Sequence, residues 1–173
     1  MTKVALPDVD ALLAALAAQM RAHVAAETGL IGIVTGGAWL AERLHAALKL
    51  KVPCGALDVS FYRDDVQRKG LKRKVVPSEI PFEVDGRDLI LVDDVLHTGR
   101  TIRAAMNELF DYGRPSRIRL AALVDRGGRE LPIAAQFVGA TLEVPAEQTI
   151  GLERDERGGL RLVLEPQKLD RNG

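Results

Sequence analysis

Residues 89–101, LILVDDVLHTGRT, join an apolar run to two adjacent carboxylates and a bend rich in hydroxyl groups. The apolar run predicts a buried strand over 88–92, and the bend predicts the start of a helix over 99–112. Helix amino termini expose unpaired N–H groups and a partial positive charge, which suits a phosphate. Asp93 and Asp94 would repel a phosphate, but carboxylates accept hydrogen bonds from ribose hydroxyls and bind Mg²⁺. The combination favours a sugar-phosphate site, whereas adjacent acids alone would more simply cap a strand-to-helix turn.

Strand and helix patterns alternate along the rest of the chain. Behind a possible cap at Asp8, apolar residues recur at helical spacing from Leu12 to Val24. The other predicted elements are strands over 30–34, 57–61, 118–124 and 136–140, a helix over 38–50, and a closing hairpin built from runs near 148–153 and 160–165. The alternation predicts an α/β fold in one domain over 1–173, with a mainly parallel sheet flanked by helices.

A second suggestive turn, Thr35-Gly36-Gly37, follows the first predicted strand. Ligands of open parallel sheets bind beyond the carboxyl ends of the strands. Both this turn and the acid pair lie at such ends, so we expect them to face one crevice. Backbone N–H groups of a glycine turn can form an anion nest, and the alternative is a plain turn without a ligand.

The composition restricts the class of protein. Hydrophobic residues make up 47% of the 173 residues and charged residues 28%, which is a globular composition. Cys54 is the only cysteine, which excludes an intrachain disulfide and a cysteine zinc cluster. The N-terminus lacks the pattern of a signal peptide and no run is long enough to span a membrane, so we expect a cytoplasmic protein. With 24 basic and 24 acidic residues, the net charge gives no support for a nucleic-acid partner.

The sequence resembles a known family over most of residues 8–139. LILVDDVLHTGRT is similar to the 13-residue phosphoribosyl pyrophosphate (PRPP) signature of type I phosphoribosyltransferases. FYRDD, GRPSRI, VDRGGRELPI and GIVTGGAWLAERL resemble the PyrR family in order and spacing. That family combines uracil phosphoribosyltransferase activity with regulation of pyrimidine-operon mRNA. The resemblance implies a type I phosphoribosyltransferase-like fold with a long flexible loop over 62–80 and a C-terminal hairpin. It also implies Mg²⁺ as cofactor, PRPP, uracil and UMP as ligands, and assembly into a homo-oligomer.

The resemblance also implies roles for individual residues. Asp93 and Asp94 would engage the ribose and Mg²⁺. The 5′-phosphate would be wrapped by Thr98, Gly99, Arg100 and Thr101, and the pyrophosphate would lie on Thr35, Gly36 and Gly37. Arg63 begins a loop that would close over PRPP, although a surface cation is an equal alternative. Asp125 and Arg126 lie where the family holds its base, and a surface ion pair is their alternative.

Three positions depart from the family pattern. Gly36 stands where relatives usually have the arginine of T-R-G, which removes a cation from the pyrophosphate turn. Gly128 replaces a histidine and Ala140 a lysine, both in regions that we associate with the regulatory surface. His97 stands where relatives often have an aromatic residue, so we expect it to pack as a ring and not to act as a base. Trp39 is expected in the core or at an interface.

Binding of RNA stays open on the sequence. QRKGLKRK (67–74) is basic, and further cations are present at Arg114, Arg117, Arg119, Arg126 and Arg129. Such clusters contact RNA phosphates, but specific recognition usually needs aromatic rings, and only 4% of the chain is aromatic. Three hypotheses therefore remain: a uracil phosphoribosyltransferase that also regulates pyrimidine genes, an RNA-binding attenuator that senses UMP or PRPP with vestigial catalysis, and a phosphoribosyltransferase for another nucleobase.

Overall fold

The computed structural model of the protein describes residues 4–60 and 78–167. Arg63, the basic run 67–74 and most of the loop expected over 62–80 lie outside these residues. The sequence-based predictions for them therefore stay predictions.

Three helices and seven strands form within the described ranges. The helices are α1 (Val9–Arg21), α2 (Gly36–Leu48) and α3 (Arg100–Tyr112). The strands are β1 (Gly29–Ile33), β2 (Gly55–Leu57), β3 (Asp88–Leu96), β4 (Arg117–Asp125), β5 (Phe137–Thr141), β6 (Gln148–Arg154) and β7 (Leu160–Pro166). This order confirms the predicted alternation of strands and helices.

A parallel sheet forms the centre of the fold. Its strands lie in the order β2-β1-β3-β4-β5, and every neighbouring pair is parallel. One face packs on α1 and α2 through buried residues such as Leu16 and Leu40, and the other packs on α3 through Ile102 and Leu109. Because both faces are covered, the central strands are apolar on both sides, as their sequences predicted.

The closing hairpin is present and packs on the helical layer of α1 and α2. β6 and β7 pair antiparallel, and Ile150 and Leu162 join the core on that side. The Arg43 Nη2 atom donates to the Gly158 carbonyl at 2.5 Å, and the Arg154 guanidinium lies 4.7 Å from the centroid of the Trp39 ring. The Trp39 side chain thus extends from α2 towards the hairpin and packs where these two elements meet within the chain.

Several predicted boundaries were wrong. α1 ends at Arg21 and not near Val24, where Ala25 N donates to the Thr28 hydroxyl and the chain turns into β1. β2 covers Gly55–Leu57 and not 57–61, because the Asp58 side chain accepts from the Ser60 N–H and turns the chain. α2 begins at Gly36, two residues early, since the glycines let its first turn lie directly on β3. β3 continues past Val92 to Leu96, because β4 runs beside it that far.

Candidate functional site

The acid pair and the glycine turn meet at the carboxyl ends of β1 and β3. Pairing between these two strands stops at Gly32 and Val92, where β1 leads towards α2. The last residues of β3 therefore have a strand on one side only. A Cβ atom placed on Gly36 would lie 2.5 Å from Asp94 Oδ2, which shows how closely the two turns approach. Gly36 and Asp94 are thus in close proximity at this end of the strands, as the expectation of one shared site requires.

The sequence analysis expected the two carboxylates to emerge together beyond the end of the strand. In the structure both residues lie within β3. Asp93 is a paired residue of β3 opposite Ala122 and is only 4% exposed, whereas Asp94 is half-buried. Side chains of a strand alternate between its faces, so Asp94 points towards α2 and Asp93 towards α3. The expectation was wrong for Asp93 because the ladder with β4 carries the strand past it.

Each carboxylate is oriented by the next backbone N–H group. Asp94 N donates to Asp93 Oδ1 at 2.9 Å, and Val95 N donates to Asp94 Oδ1 at 2.8 Å. These contacts hold both acids in fixed positions at the start of the turn to α3. A carboxylate has further lone pairs beside the one used for such a bond, and with these it can accept from a hydroxyl or bind a cation.

The phosphate turn, residues 98–101, connects β3 to α3. Gly99 has a φ of 91°, a left-handed conformation that favours glycine, and it immediately precedes the helix. Arg100 N donates to Thr98 Oγ1 at 3.2 Å, and the Arg100 guanidinium pairs with Glu130 at 2.7 Å. Thr101 lies in the first helical turn. The backbone of this turn therefore has the shape of a helix-start anion site.

Asp125, at the end of β4, uses its carboxylate to hold the following loop. Its Oδ2 accepts from Arg129 Nη2 at 2.5 Å and its Oδ1 accepts from Gly127 N at 2.9 Å. Burial would raise the pKa of Asp125, but these two partners outweigh burial and the pKa is lowered. Asp125 thus shapes the loop, and the structure does not leave its carboxylate aimed at a base.

Arg126 lies under the hairpin, next to the end of β4. Its Nη2 donates to the Gln148 carbonyl at 3.3 Å, and its buried Nε has no hydrogen-bond partner within residues 4–60 and 78–167. Burial lowers the pKa of its guanidinium. A buried donor without a partner is rare in folded proteins and marks a place where a ligand or water would be bound.

The base-side loop, residues 126–133, is fastened to the phosphate turn. Arg129 Nη1 donates to the His97 carbonyl at 2.8 Å and its Nε to the Ile133 carbonyl at 2.7 Å. The Thr98 carbonyl accepts from the N–H groups of Glu130 and Leu131. Sequence reasoning missed this role of Arg129 and counted it among cations for RNA. The RGGRELP segment, which contains Arg129, was the only sequence signal for this role, but it does not indicate which carbonyl groups the arginine contacts.

Two other arginines suggested for RNA lie at the opposite end of the strands from Asp93 and Asp94. Arg117 and Arg119 contact Asp88 at 3.0 and 2.7 Å, at the amino ends of β3 and β4. Burial would raise the pKa of Asp88, but the two guanidinium groups outweigh it and the pKa is lowered. These two arginines therefore form an ion-pair cluster with Asp88, at the end of the strands that is remote from Asp93 and Asp94.

Metal binding at this site depends on the carboxylates that the chain provides. In the part of the chain that the structure describes, no cluster of three or more His, Cys, Asp or Glu side chains is arranged to hold a metal ion. Mg²⁺ needs only one or two protein carboxylates when substrate phosphates and waters complete its shell, so Asp93 and Asp94 fit an ion shared with a substrate. No described helix has the length and apolar character to cross a membrane.

Comparisons with known proteins point in one direction. The phosphoribosyl transferase domain family matches residues 5–156. Bifunctional protein PyrR of Pseudomonas fluorescens is 50% identical over 168 residues, which cover 95% of this chain and 98% of the relative. Bifunctional protein PyrR of Pseudomonas paraeruginosa is 54% identical over 157 residues, 88% of this chain and 87% of the relative.

The solved structures agree on the fold. Hypoxanthine phosphoribosyltransferase of Trypanosoma cruzi superposes with a TM-score of 0.66 at 18% identity, over 94% of this chain and 95% of that one. Purine phosphoribosyltransferase of Pyrococcus horikoshii gives 0.61 at 25% identity, over 78% and 83%. At such identities the likeness concerns the fold, and it does not indicate which base this chain would bind.

Proposed function

This chain belongs to the phosphoribosyl transferase domain family and, within it, to the PyrR proteins, and from this we propose that it transfers the phosphoribosyl group of PRPP to uracil. The products are UMP and pyrophosphate. The bond from the anomeric carbon to pyrophosphate breaks, and a bond from that carbon to a ring nitrogen of uracil forms. The transition state carries positive charge on the sugar and negative charge on the leaving group, so the protein's task is positioning and charge stabilisation.

The observation that carries the proposal is the approach of Gly36 to Asp94. A carboxylate, which can accept from ribose hydroxyls, lies beside a turn whose two glycines have no side chains to cover their backbone N–H groups, as we expect for the binding of a sugar with a pyrophosphate substituent. Asp93 and Asp94 are proposed to bind the ribose hydroxyls, with Asp94 contacting the sugar from the side of the glycine turn. The backbone of Thr35, Gly36 and Gly37 would receive the pyrophosphate.

The phosphate turn is proposed to bind the 5′-phosphate. The amino terminus of α3, Gly99 and the hydroxyls of Thr98 and Thr101 provide donors and a favourable helix dipole. Arg100 remains a candidate contact, although its guanidinium pairs with Glu130, with the two side chains 47% and 53% exposed. A half-exposed pair of this kind is weak enough to exchange for a phosphate.

Mg²⁺ is proposed to be held by Asp93 and Asp94 together with PRPP oxygens and waters. When bound, it would neutralise the negative charge of the leaving pyrophosphate. Because Gly36 brings no cation to the glycine turn, we expect this protein to depend on the ion strongly for PRPP affinity. Arg63 is proposed to approach the same pyrophosphate.

The base is proposed to lie against the end of β4 and the base-side loop. Arg126 is the side chain that we place there, because its buried Nε lacks a partner and uracil offers carbonyl acceptors. Asp125 acts through the loop that it holds. A base that pairs with this donor would relieve a penalty of about 1–3 kcal/mol that other bases leave in place, which gives a physical basis for selection.

The test is pyrophosphate release by purified protein with PRPP, Mg²⁺ and each of uracil, cytosine, hypoxanthine, guanine and adenine in turn. We expect release with uracil alone, and no release from the Asp93→Asn, Asp94→Asn double variant. Release with a purine and not with uracil would identify the enzyme as a phosphoribosyltransferase for another base. Absence of release with every base, together with tight UMP binding, would favour the attenuator hypothesis.

A second proposed activity is regulation of pyrimidine genes through pyrimidine-operon mRNA. The observation in its favour is that relatives at 50% and 54% identity are named bifunctional. Arg119 and Arg129 are engaged in largely buried ion pairs, so the cations for RNA would have to be the more exposed ones, such as Arg117, whose side chain is 59% exposed. Salt-dependent binding of a pyrimidine leader RNA, compared with an unrelated RNA of equal length, tests this activity.

We also propose that the protein is a cytoplasmic homo-oligomer. Cytoplasmic placement follows from the supply of PRPP and Mg²⁺ that the reaction needs. Phe110 and Tyr112 on α3 are 57% and 45% exposed in the single chain, and exposed aromatic residues of this kind are often covered by a second subunit. Light scattering on the purified protein measures the assembly directly.

A further inference from the structure

The imidazole of His97 bridges the phosphate turn and the base-side loop. His97 directly precedes the phosphate turn, and its Nδ1 lies 2.8 Å from the carbonyl oxygen of Gly127. A carbonyl oxygen only accepts, so Nδ1 carries the proton and the ring donates this bond. The bond therefore ties together two segments that are 30 residues apart in the sequence.

The space for this ring is created by Gly128. A Cβ atom on Gly128 would lie 2.6 Å from His97 Cε1 and 2.9 Å from its Nδ1, which no real side chain tolerates. Gly128 also has a φ of 75°, a conformation that favours glycine. His97 and Gly128 thus fit each other as a pair, since any larger residue at 128 displaces the ring.

The neighbouring position is open on its other side. Gly127 has a φ of 69°, and a Cβ atom placed there would meet nothing within 4 Å. Its carbonyl faces His97, and its N–H group donates to Asp125. The loop at Gly127 is therefore held by one bond from the strand and one from the imidazole, and its other side is open to solvent.

We propose that His97 is a positioning residue that holds the base-side loop in register with the phosphate turn, so that a nucleoside monophosphate is bound by both at once. This inference rests on the proposed function, because it takes UMP as the ligand that spans the two segments. A ligand that ends at the sugar contacts only the phosphate turn and does not use the bridge. His97 therefore contributes to affinity for the nucleotide and not to affinity for the sugar phosphate alone.

The experiment compares UMP with ribose 5-phosphate on the full-length protein by calorimetry. For His97→Ala we expect the Kd for UMP to rise about 3- to 10-fold, the effect of losing one neutral hydrogen bond. The Kd for ribose 5-phosphate should change less than twofold. His97→Phe keeps a ring over Gly128 but loses the donor, so it should weaken UMP binding as His97→Ala does. His97→Asn retains an N–H donor near the Nδ1 position and should restore most of the UMP affinity.

His45→Ala is the matched control. The His45 imidazole lies 2.7 Å from the Val52 carbonyl, a bond of the same type at the far end of α2. This variant should leave both affinities unchanged while showing how much stability such a bond provides.

The outcomes separate the inference from the proposed function. UMP affinity of His97→Ala within twofold of the wild type would overturn the inference, and so would an equal loss for ribose 5-phosphate. In both cases wild-type binding of UMP would leave the proposed function standing. Wild-type protein that binds neither ligand would refute the proposed function and, with it, the role of His97.

Discussion

Substitution of alanine for each of the two glycines at the start of α2 should affect different properties. We expect Gly37→Ala to lower the stability of the fold and Gly36→Ala to weaken the binding of PRPP. In Gly37→Ala, the new Cβ would overlap the Val92 carbonyl oxygen and lie 3.2 Å from the Asp93 Cα. Both are backbone atoms of a central strand and cannot rotate away. Overpacking of this kind typically costs about 1–3 kcal/mol, and the better helix propensity of alanine offsets up to about 1 kcal/mol of it.

In Gly36→Ala, the new Cβ meets the end of the Asp94 side chain instead. The nearest atom is Oδ2 at 2.5 Å, and a carboxylate can turn aside. We therefore expect a smaller loss in the free energy of unfolding than for Gly37→Ala, together with weaker substrate binding, because the turned carboxylate no longer accepts from Val95 N or lies where we propose the ribose to bind. The apparent KM for PRPP should rise about tenfold, the effect of losing one hydrogen bond to a charged group.

Urea unfolding and PRPP kinetics on both variants test this reasoning. With a urea slope of about 1–3 kcal/mol per molar, the loss expected for Gly37→Ala lowers the unfolding midpoint by a measurable fraction of a molar or more. Gly151→Ala is the control, since a Cβ there meets nothing within 4 Å and Gly151 lies in the hairpin strand β6. The reasoning would be refuted if Gly37→Ala unfolded at the same urea concentration as the control, or if Gly36→Ala kept the wild-type KM for PRPP.

Three further predictions concern the acid pair Asp93 and Asp94, the ion-paired Asp88, and Gly128. The Asp93→Asn, Asp94→Asn double variant should lose at least 100-fold in kcat/KM with little loss of stability, measured by pyrophosphate release and thermal unfolding; wild-type rates would exclude these acids from the site. Because the folded-state pKa of Asp88 is lowered, its stabilising contribution is present above its unfolded pKa of about 3.9 and is lost as the pH falls through the folded value. Asp88→Asn should therefore unfold at lower urea than the wild type at pH 7, and this gap should be smaller at pH 3; an equal gap at both pH values would contradict this. Gly128→Ala should weaken UMP binding by displacing the His97 ring, as calorimetry would show, and an unchanged Kd would mean that the loop adapts.

The sequence predicted the elements that local pattern determines. The helix expected over 99–112 is found as Arg100–Tyr112, because glycines mark both of its ends and its apolar face is regular. The parallel order of the strands followed from the alternation of strands and helices. The hairpin was visible from two runs on either side of a glycine-rich turn.

The parts that could not be predicted depend on contacts between distant segments. The extension of β3 through Asp93 exists because β4 pairs with it, and no local pattern indicates that partner. α2 begins at Gly36 although glycine is a poor helix former, since only close packing against Val92 makes it necessary there. The pairing of Asp125 with Arg129 was not predicted either, because it depends on the path of the loop that follows β4.

The position of the two acids on opposite faces of β3 limits how this strand can change in evolution. Inserting or deleting one residue among Leu89, Ile90, Leu91 and Val92 would exchange the directions of Asp93 and Asp94 and would also turn the apolar residues to the wrong layers. A change of two residues would preserve the directions but would move both acids by about 7 Å along the strand, away from the glycine turn. We therefore expect homologous chains to vary in the identity of these apolar residues while their number stays constant.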